Sequence, residues 1–146
     1  MKTIYFIICN ENLKTLYHTL PTNLLKIKDD DAIIYISNPT KNKSLSKYVR
    51  SNFNTLINNG KLMYDESETI DYGMLLSKLD VEYIVNMDLT EFIGKVGSEV
   101  KTLDVDQLLV RGKTKAVRKQ SFILNSYNYL SENIVESKDL SIPMGG

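Results

Sequence analysis

The stretch TIYFIIC at residues 3–9 decides the fold class of this chain. After its first residue it shows no regular alternation of polar and apolar side chains, and this is typical of a strand covered on both faces of a sheet. A second run, AIIYI at residues 32–36, has the same character and is followed by the turn-forming SNP at residues 37–39. Shorter runs at residues 61–64 and 83–87 predict a third and a fourth strand.

Apolar residues at helical spacing separate these strands. Residues 13–20 predict a first helix that Pro21 ends. Residues 45–57 predict the clearest amphipathic helix, which NNG at residues 58–60 stops, and residues 70–79 predict another. Strands that alternate with helices in this way predict an α/β fold with a mostly parallel central sheet and helices on both faces.

The last third of the chain is less regular. Residues 108–110 predict a strand and residues 122–130 predict a helix. No internal repeat, low-complexity linker or shift in composition divides the sequence. We therefore expect a single domain over residues 1–146.

Composition limits the classes of partner. The 18 basic residues equal the 18 acidic residues in number, so no net charge favours a nucleic acid or an anionic membrane. Cys9 is the only cysteine, which excludes an intramolecular disulfide, and its place in the first apolar run predicts a buried structural thiol. That run is too short for a signal sequence or a membrane span. We therefore expect a cytoplasmic protein with no transmembrane segment.

Polar residues follow the four predicted strands at the points where the strands end. In a parallel sheet these strand-to-helix loops share one edge, and ligands bind in the crevice where the strand order reverses. The loops begin at Asn10, Ser37, Asp65 and Asp88. Helix caps and turns also require polar residues at such places, so a structural role and a binding role are equally supported for any one loop.

Asp88 directly follows the buried run at residues 83–87. A rigid strand holds such a carboxylate at the sheet edge, which suits binding of a divalent cation through oxygen. Glu91 supplies a second oxygen if the chain turns there. The alternative is a helix that begins near Glu91 and is capped by Asp88 or Thr90, and the residues alone leave both interpretations open.

Four segments, in order along the chain, resemble the inverting family-two glycosyltransferases of GT-A fold. They are IYFIICNENL at residues 4–13, AIIYISNPT at residues 32–40, DYGMLLSKLDVEYI at residues 71–84 and DLT at residues 88–90. The second segment resembles the family strand whose end holds the nucleotide. The third resembles the helix that leads into the metal-binding Asp-X-Asp, to which the fourth is similar in position.

Two later segments resemble the acceptor side of the same family. KAVRKQSF at residues 115–122 is similar to the segment in which an arginine and a following helix close the acceptor site, and ESKDLS at residues 136–141 resembles the stretch with the general base. The resemblance implies transfer of a sugar, with inversion, from a nucleoside-diphosphate sugar to an acceptor hydroxyl that it does not identify. It also implies a divalent cation, manganese or magnesium, as cofactor.

The resemblance assigns roles to individual residues. The residues implied to bind the nucleotide are Asn10, Glu11, Ser37, Asn38 and Asp71. The residues implied to bind the cation are Asp88 and Glu91. The residues implied to act as general base are Glu136 and Asp139, because the acceptor oxygen needs a carboxylate within hydrogen-bond reach. The alternative for Glu136 and Asp139 is a solvated acidic surface.

Three positions differ from the family pattern and keep other functions open. Thr90 stands in place of the second metal carboxylate, SN at residues 37–38 replaces an acidic pair, and Ser137 replaces the usual base aspartate. The first alternative is therefore an inactive module of the same fold that binds a nucleotide or nucleotide sugar. The second is a protein-interaction domain that uses residues 126–133. Neither a phosphate-binding loop nor GxGxxG follows the first strand, which argues against a P-loop ATPase and a dinucleotide dehydrogenase.

Overall fold

The computed structural model describes residues 3–9, 13–94, 96, 106–110, 113–119 and 137–140. Helices and strands follow one another in this part of the chain as β1 (Thr3–Ile8), α1 (Leu13–Lys26), β2 (Ala32–Ser37), α2 (Lys43–Asn52), α3 (Asn54–Asn58), β3 (Leu62–Asp65), α4 (Tyr72–Ser77), β4 (Tyr83–Met87), β5 (Gln107–Val110), β6 (Lys113–Arg118) and β7 (Ser137–Leu140).

All seven strands join one sheet in the order β3-β2-β1-β4-β6-β5-β7. The four strands β3, β2, β1 and β4 are parallel neighbours, with Phe6 of β1 opposite Tyr35 of β2 on one side and Asn86 of β4 on the other. β6 pairs antiparallel with β4 and β5, and β7 pairs parallel with β5. The predicted α/β fold with a mostly parallel sheet is therefore confirmed.

Helices cover the sheet on both faces. One face packs under α1 and α2, where Ile7 and Ile34 of the sheet share a buried cluster with Leu20 and Val49. The other face packs under α4, where Phe6 shares a smaller cluster with Leu76. The strands β1, β2, β4 and β6 each supply both clusters, because side chains of a strand alternate between the two faces of the sheet. The fully apolar runs of the sequence are thus explained by burial on both sides.

Two predicted helix boundaries are wrong. α1 does not end at Pro21 but continues to Lys26, because the buried contacts of Leu20 and Leu24 on either side of the proline outweigh the hydrogen bond that its missing N–H removes. The helix predicted over residues 45–57 is interrupted at Phe53, which caps α2 with φ −125°. The stop after it is at Gly60, whose φ of +81° favours glycine.

Of the two elements predicted in the last third of the chain, one is confirmed. The predicted strand at residues 108–110 corresponds to β5, whereas the predicted helix at residues 122–130 lies outside the described residues. Residues 115–118, from the segment likened to the acceptor side, belong to β6. None of the helices described here combines the length and the apolar character needed to cross a membrane.

Candidate functional site at the ends of β1 and β4

The strand order reverses between β1 and β4, because the chain passes from β1 to β2 on one side and returns to β4 on the other. Ligands of open α/β sheets bind at such a point, outside the carboxyl ends of the strands. Here the α4 face of the sheet is open: Ile8 is 43% exposed and Asn86 is also exposed, although both lie in central strands. We call this opening, with Asp88 at its rim, the β1–β4 crevice.

Asp88 is exposed at the end of β4, where the chain turns sharply. The Glu91 N–H donates to the Asp88 carbonyl at 3.0 Å, and the Asp88 N–H donates to Glu91 Oε1 at 3.1 Å. Asp88 Oδ1 accepts from the Thr90 N–H at 3.2 Å. Residues 91–94 are not helical, so the capping alternative is wrong: Asp88 stabilises a turn and not the start of a helix.

Glu91 has partners on both of its carboxylate oxygens. While Oε1 accepts from the Asp88 N–H, Oε2 forms an ion pair with Lys115 Nζ of β6. The two side chains of that pair are 29% and 14% exposed for Glu91 and Lys115. A cation that binds Glu91 must therefore compete with the Lys115 ammonium, whereas the second Asp88 oxygen has no hydrogen-bond partner among the described residues.

Three polar residues of α1 form hydrogen bonds to the backbone of the loop that follows β4. Asn23 is fully buried; its Nδ2 donates to the Glu91 carbonyl at 3.1 Å, and its Oδ1 accepts from the Ile93 N–H at 2.8 Å. Thr19 Oγ1 donates to the Leu89 carbonyl at 2.8 Å, and Lys26 Nζ reaches the Ile93 carbonyl at the same distance. Sequence reasoning missed these residues; the signal was two polar residues, at positions 19 and 23, on the buried side of an amphipathic helix.

Ser37 and Asn38 lie at the end of β2, and both are buried. The Asn38 amide donates to the Asn42 carbonyl at 3.1 Å and to the Tyr64 hydroxyl at 2.8 Å, and its Oδ1 accepts from the Asn42 N–H. Their backbones join the strand ends, since the Cys9 N–H donates to the Ser37 carbonyl. In this arrangement Asn38 shapes the rim, and direct contact of Ser37 or Asn38 with a nucleotide stays a prediction.

A cavity of about 290 Å³ lies beside the crevice, between β2, β3 and α4, and Tyr35, Asp65 and Asp71 are among its lining residues. Asp71 caps α4 by accepting from the Met74 N–H at 3.0 Å, so its predicted contact with a nucleotide has to be shared with this capping role. Asp65 accepts hydrogen bonds from Tyr35 and from both the N–H and the hydroxyl of Ser67. Asp65 is therefore held in place by neighbours on the cavity wall.

The protonation of this cavity wall follows from the same contacts. Burial opposes ionisation of Asp65, but the hydrogen bonds from Ser67 and Tyr35 outweigh it, so the pKa of Asp65 lies below its ordinary value. Burial and the bond to Asp65 raise the pKa of Tyr35 well above its ordinary value. At neutral pH the wall thus presents a fixed carboxylate and a neutral phenol.

Cys9 is buried at the end of β1, as the sequence predicts. Burial raises the pKa of its thiol to about 12, so almost none of it is thiolate at neutral pH. A nucleophilic role for Cys9 is thereby disfavoured.

The fold is similar to that of solved glycosyltransferase structures. TarS 1–349 from S. aureus matches 99% of this chain and 59% of its own, with a TM-score of 0.61 and 13% identity. The same protein in complex with UDP-GlcNAc matches 99% and 57%, with a TM-score of 0.58 and 12% identity. The mannosyltransferase PcManGT from Pyrobaculum calidifontis, in complex with GDP-Man and Mn²⁺, matches 86% and 46%, with a TM-score of 0.54 and 10% identity. The fold is of the GT-A type.

This GT-A-type chain spans between 46% and 59% of the length of those three structures. No protein-family model matches its sequence, and no curated protein matches it significantly. The assignment therefore rests on the arrangement of strands and helices, which is what these comparisons share.

The remaining predicted site residues lie in less fully described parts of the GT-A-type fold. Asn10, Glu11 and Glu136 are outside the described residues. Asp139 belongs to β7, which runs in the same direction as β4, so the carboxyl ends of both strands meet one edge of the sheet. Three strand spacings, about 14 Å, separate β7 from β4. The strand path places Asp139 at the correct edge but away from the crevice.

Proposed function

We propose that the chain is a glycosyltransferase domain that moves a sugar from a nucleoside-diphosphate sugar to an acceptor hydroxyl, with inversion at the anomeric carbon. The observation behind the proposal is the open β1–β4 crevice, with the exposed carboxylate of Asp88, at the switch point of a GT-A-type sheet. We propose the cytoplasm as its compartment and residues 1–146 as one domain.

The crevice and the neighbouring cavity together suit an elongated ligand. Both lie on the α4 face, and the ring of Phe6 is between them, 4.8 Å from the ring of Tyr35 and 5.4 Å from that of Tyr72. Two strand spacings, about 10 Å, separate Tyr35 on β2 from Asn86 on β4. In the proposed orientation the base and ribose lie toward Asp71 in the cavity, and the diphosphate lies toward Asp88.

The site suits a divalent cation only if protein carboxylates and the phosphates of the ligand bind it together. The described residues hold no group of three metal-ligating side chains, so they form no all-protein cage, but Mg²⁺ is commonly held by one or two carboxylates and by substrate phosphates. Asp88 is suited to be the first of these carboxylates, and Glu91 can be the second if its ion pair with Lys115 opens. When bound there, the cation would offset the charge of the departing diphosphate.

The transfer itself needs a base on the acceptor side. The acceptor oxygen forms a bond to the anomeric carbon as the bond from that carbon to the diphosphate oxygen breaks. The hydroxyl proton passes to a carboxylate, for which Glu136 and Asp139 are the proposed groups. Attack from the face opposite the leaving diphosphate inverts the anomeric carbon.

An inactive nucleotide-binding module of the same fold is the second candidate. The engagement of Glu91 by Lys115 favours it, because it leaves one carboxylate oxygen of the described 88–91 turn ready for a cation. The two candidates agree on the position of the nucleotide and differ in turnover.

Thermal unfolding with UDP-GlcNAc or GDP-Man, each with MnCl₂, tests the proposal. A ligand at about 100 times its Kd should raise Tm by about 5–10 °C. Asp88→Asn should lose most of the manganese-dependent part of the rise, whereas Asp29→Asn, an exposed control in the turn after α1, should retain it.

Release of UDP or GDP by slow hydrolysis of the donor separates the two candidates. Stabilisation with nucleotide release supports the transferase, and stabilisation without release supports the inactive module. A wild-type Tm that no nucleotide sugar changes would contradict both.

A further inference from the structure

We propose that the Lys115 ammonium binds the diphosphate of the donor and that this contact retains the nucleotide when no divalent cation is present. The inference rests on the proposed function, because it concerns the same crevice. It adds a positively charged residue to a site for which the sequence indicated only carboxylates and neutral polar side chains.

The position of Lys115 supports a contact with a ligand in the crevice. It lies on β6, the strand next to β4, one residue beyond the pair formed by Ala116 and Val85. β6 bulges at this residue, because Ala116 lies opposite Leu108 of β5 and Thr114 lies opposite Leu109, which leaves Lys115 as the extra residue between them. From there its ammonium forms an ion pair with Glu91, which brings it to the turn after β4 at the rim of the crevice.

The ion pair with Glu91 keeps the ammonium at the rim. Glu91 is itself fixed, because its other oxygen accepts from the Asp88 N–H and its carbonyl accepts from Asn23. Nζ of Lys115 is thus held beside the turn that presents Asp88. An ammonium has three donors, so it can keep Glu91 and still donate to a phosphate oxygen.

The charges around the turn favour a diphosphate. Asp88 and Glu91 alone would repel it, and the exposed Asp88 has no cationic partner among the described residues. Lys115 is a cation that the structure places against this turn. A contact between an ammonium and a phosphate is charge-assisted and is stronger than a neutral hydrogen bond.

Titration calorimetry in EDTA tests the inference, with UDP as probe and uridine as the probe without phosphates. Lys115→Met should weaken binding of UDP about tenfold or more and leave that of uridine unchanged, which is the usual effect of losing a charged hydrogen bond. Lys115→Arg should retain binding of UDP to within about threefold. Lys47→Met, an exposed lysine of α2 on the other side of the sheet, is the matched control.

A double variant separates direct contact from simple neutralisation of Glu91. If Lys115→Met with Glu91→Gln binds UDP as weakly as Lys115→Met alone, the ammonium acts on the diphosphate. Recovery of wild-type affinity in the double variant overturns the inference, as does unchanged UDP affinity in Lys115→Met.

A measurement on the wild-type chain keeps the test independent of folding of the variants. The Nζ resonance of Lys115 should shift on addition of UDP in EDTA and stay unchanged with uridine; the absence of a shift with UDP overturns the inference. A wild-type chain that binds UDP only with manganese overturns the inference alone. A chain that binds neither UDP nor GDP under any condition overturns the proposed function as well.

Discussion

Asp88 and Glu91 lie on one turn, yet their carboxylates have different partners. Asp88 is exposed, and its carboxylate accepts from one backbone N–H among the described residues, whereas that of Glu91 forms an ion pair with Lys115. We expect Asp88→Asn to change the free energy of unfolding by less than about 0.5 kcal/mol. Glu91→Gln should lower it by about 1 kcal/mol, because the half-buried ion pair is lost. Urea unfolding at pH 7 measures both, and equal losses would contradict the assignment.

Acid should destabilise the folded chain, in part because Asp65 in the cavity wall becomes protonated. The pKa of Asp65 in the folded chain lies below its ordinary value of 3.8, so its contribution to stability is complete above about pH 4 and is lost as the pH falls through the folded pKa. Asp65→Asn should therefore be less stable at pH 7 and lose less stability than the wild type between pH 4 and pH 2. Unfolding curves across this range check the difference, and parallel acid profiles would contradict it.

At the residue scale, the sequence predicted properties set by neighbours in the chain. Burial of Cys9 and exposure of Asp88 follow from an apolar run and its end. It could not predict that Asn38 is buried, because one of its partners, Tyr64, is 26 residues away on β3. It also missed the exposure of Asn86, since the exposure of a strand side chain depends on which elements pack over that face of the sheet.

Among the elements, α1 has the most direct effect on the candidate site. We expect Asn23→Ala to lower the free energy of unfolding by about 2 kcal/mol, because it leaves the Glu91 carbonyl and the Ile93 N–H without their partner. Asn52→Ala, on the exposed side of α2, is the control and should be nearly neutral. Backbone amide exchange at Ile93 reports the local effect, and unchanged protection of that amide in Asn23→Ala would contradict the role of Asn23.

Pro21 should also lower the free energy of unfolding by a measurable amount. Pro21 lies inside the helix and is exposed, so Pro21→Ala should restore a backbone donor without disturbing the core. We expect a gain of about 1–3 kcal/mol in unfolding free energy. Thr22→Ala, the next exposed position, is the control. A destabilised Pro21→Ala chain would contradict the continuous helix.

Element boundaries were predicted less well than element types for a physical reason. Local propensity ends a helix at proline, but the packing of Leu20 and Leu24 against the sheet is a tertiary effect that propensity does not contain. The break at Phe53 is of the same kind, since the ring packs near Tyr48, with centroids 5.4 Å apart.

At the scale of the whole molecule, the four parallel strands and β5 were predicted from the sequence, whereas β6 and β7 were not. Long apolar runs separated by helical spacing indicate parallel strands, and these produce the β3-β2-β1-β4 part of the sheet. β5 and β6 are neighbours in the chain, with a register shift between Leu108 and Leu109, but the antiparallel pairing of β6 with β4 joins distant residues such as Tyr83 and Arg118. That pairing places Lys115 beside the crevice, so the basic part of the candidate site could not be found from the sequence.

The β1–β4 crevice should bind a nucleoside diphosphate if the proposed function is correct. A crystal structure of the chain with UDP and manganese tests it most directly. We expect the diphosphate beside Asp88 and Asn86, within reach of Lys115, and the base toward Tyr35 on the α4 face. Nucleotide on the α1 and α2 side of the sheet, or an empty crevice at saturating UDP, would contradict it.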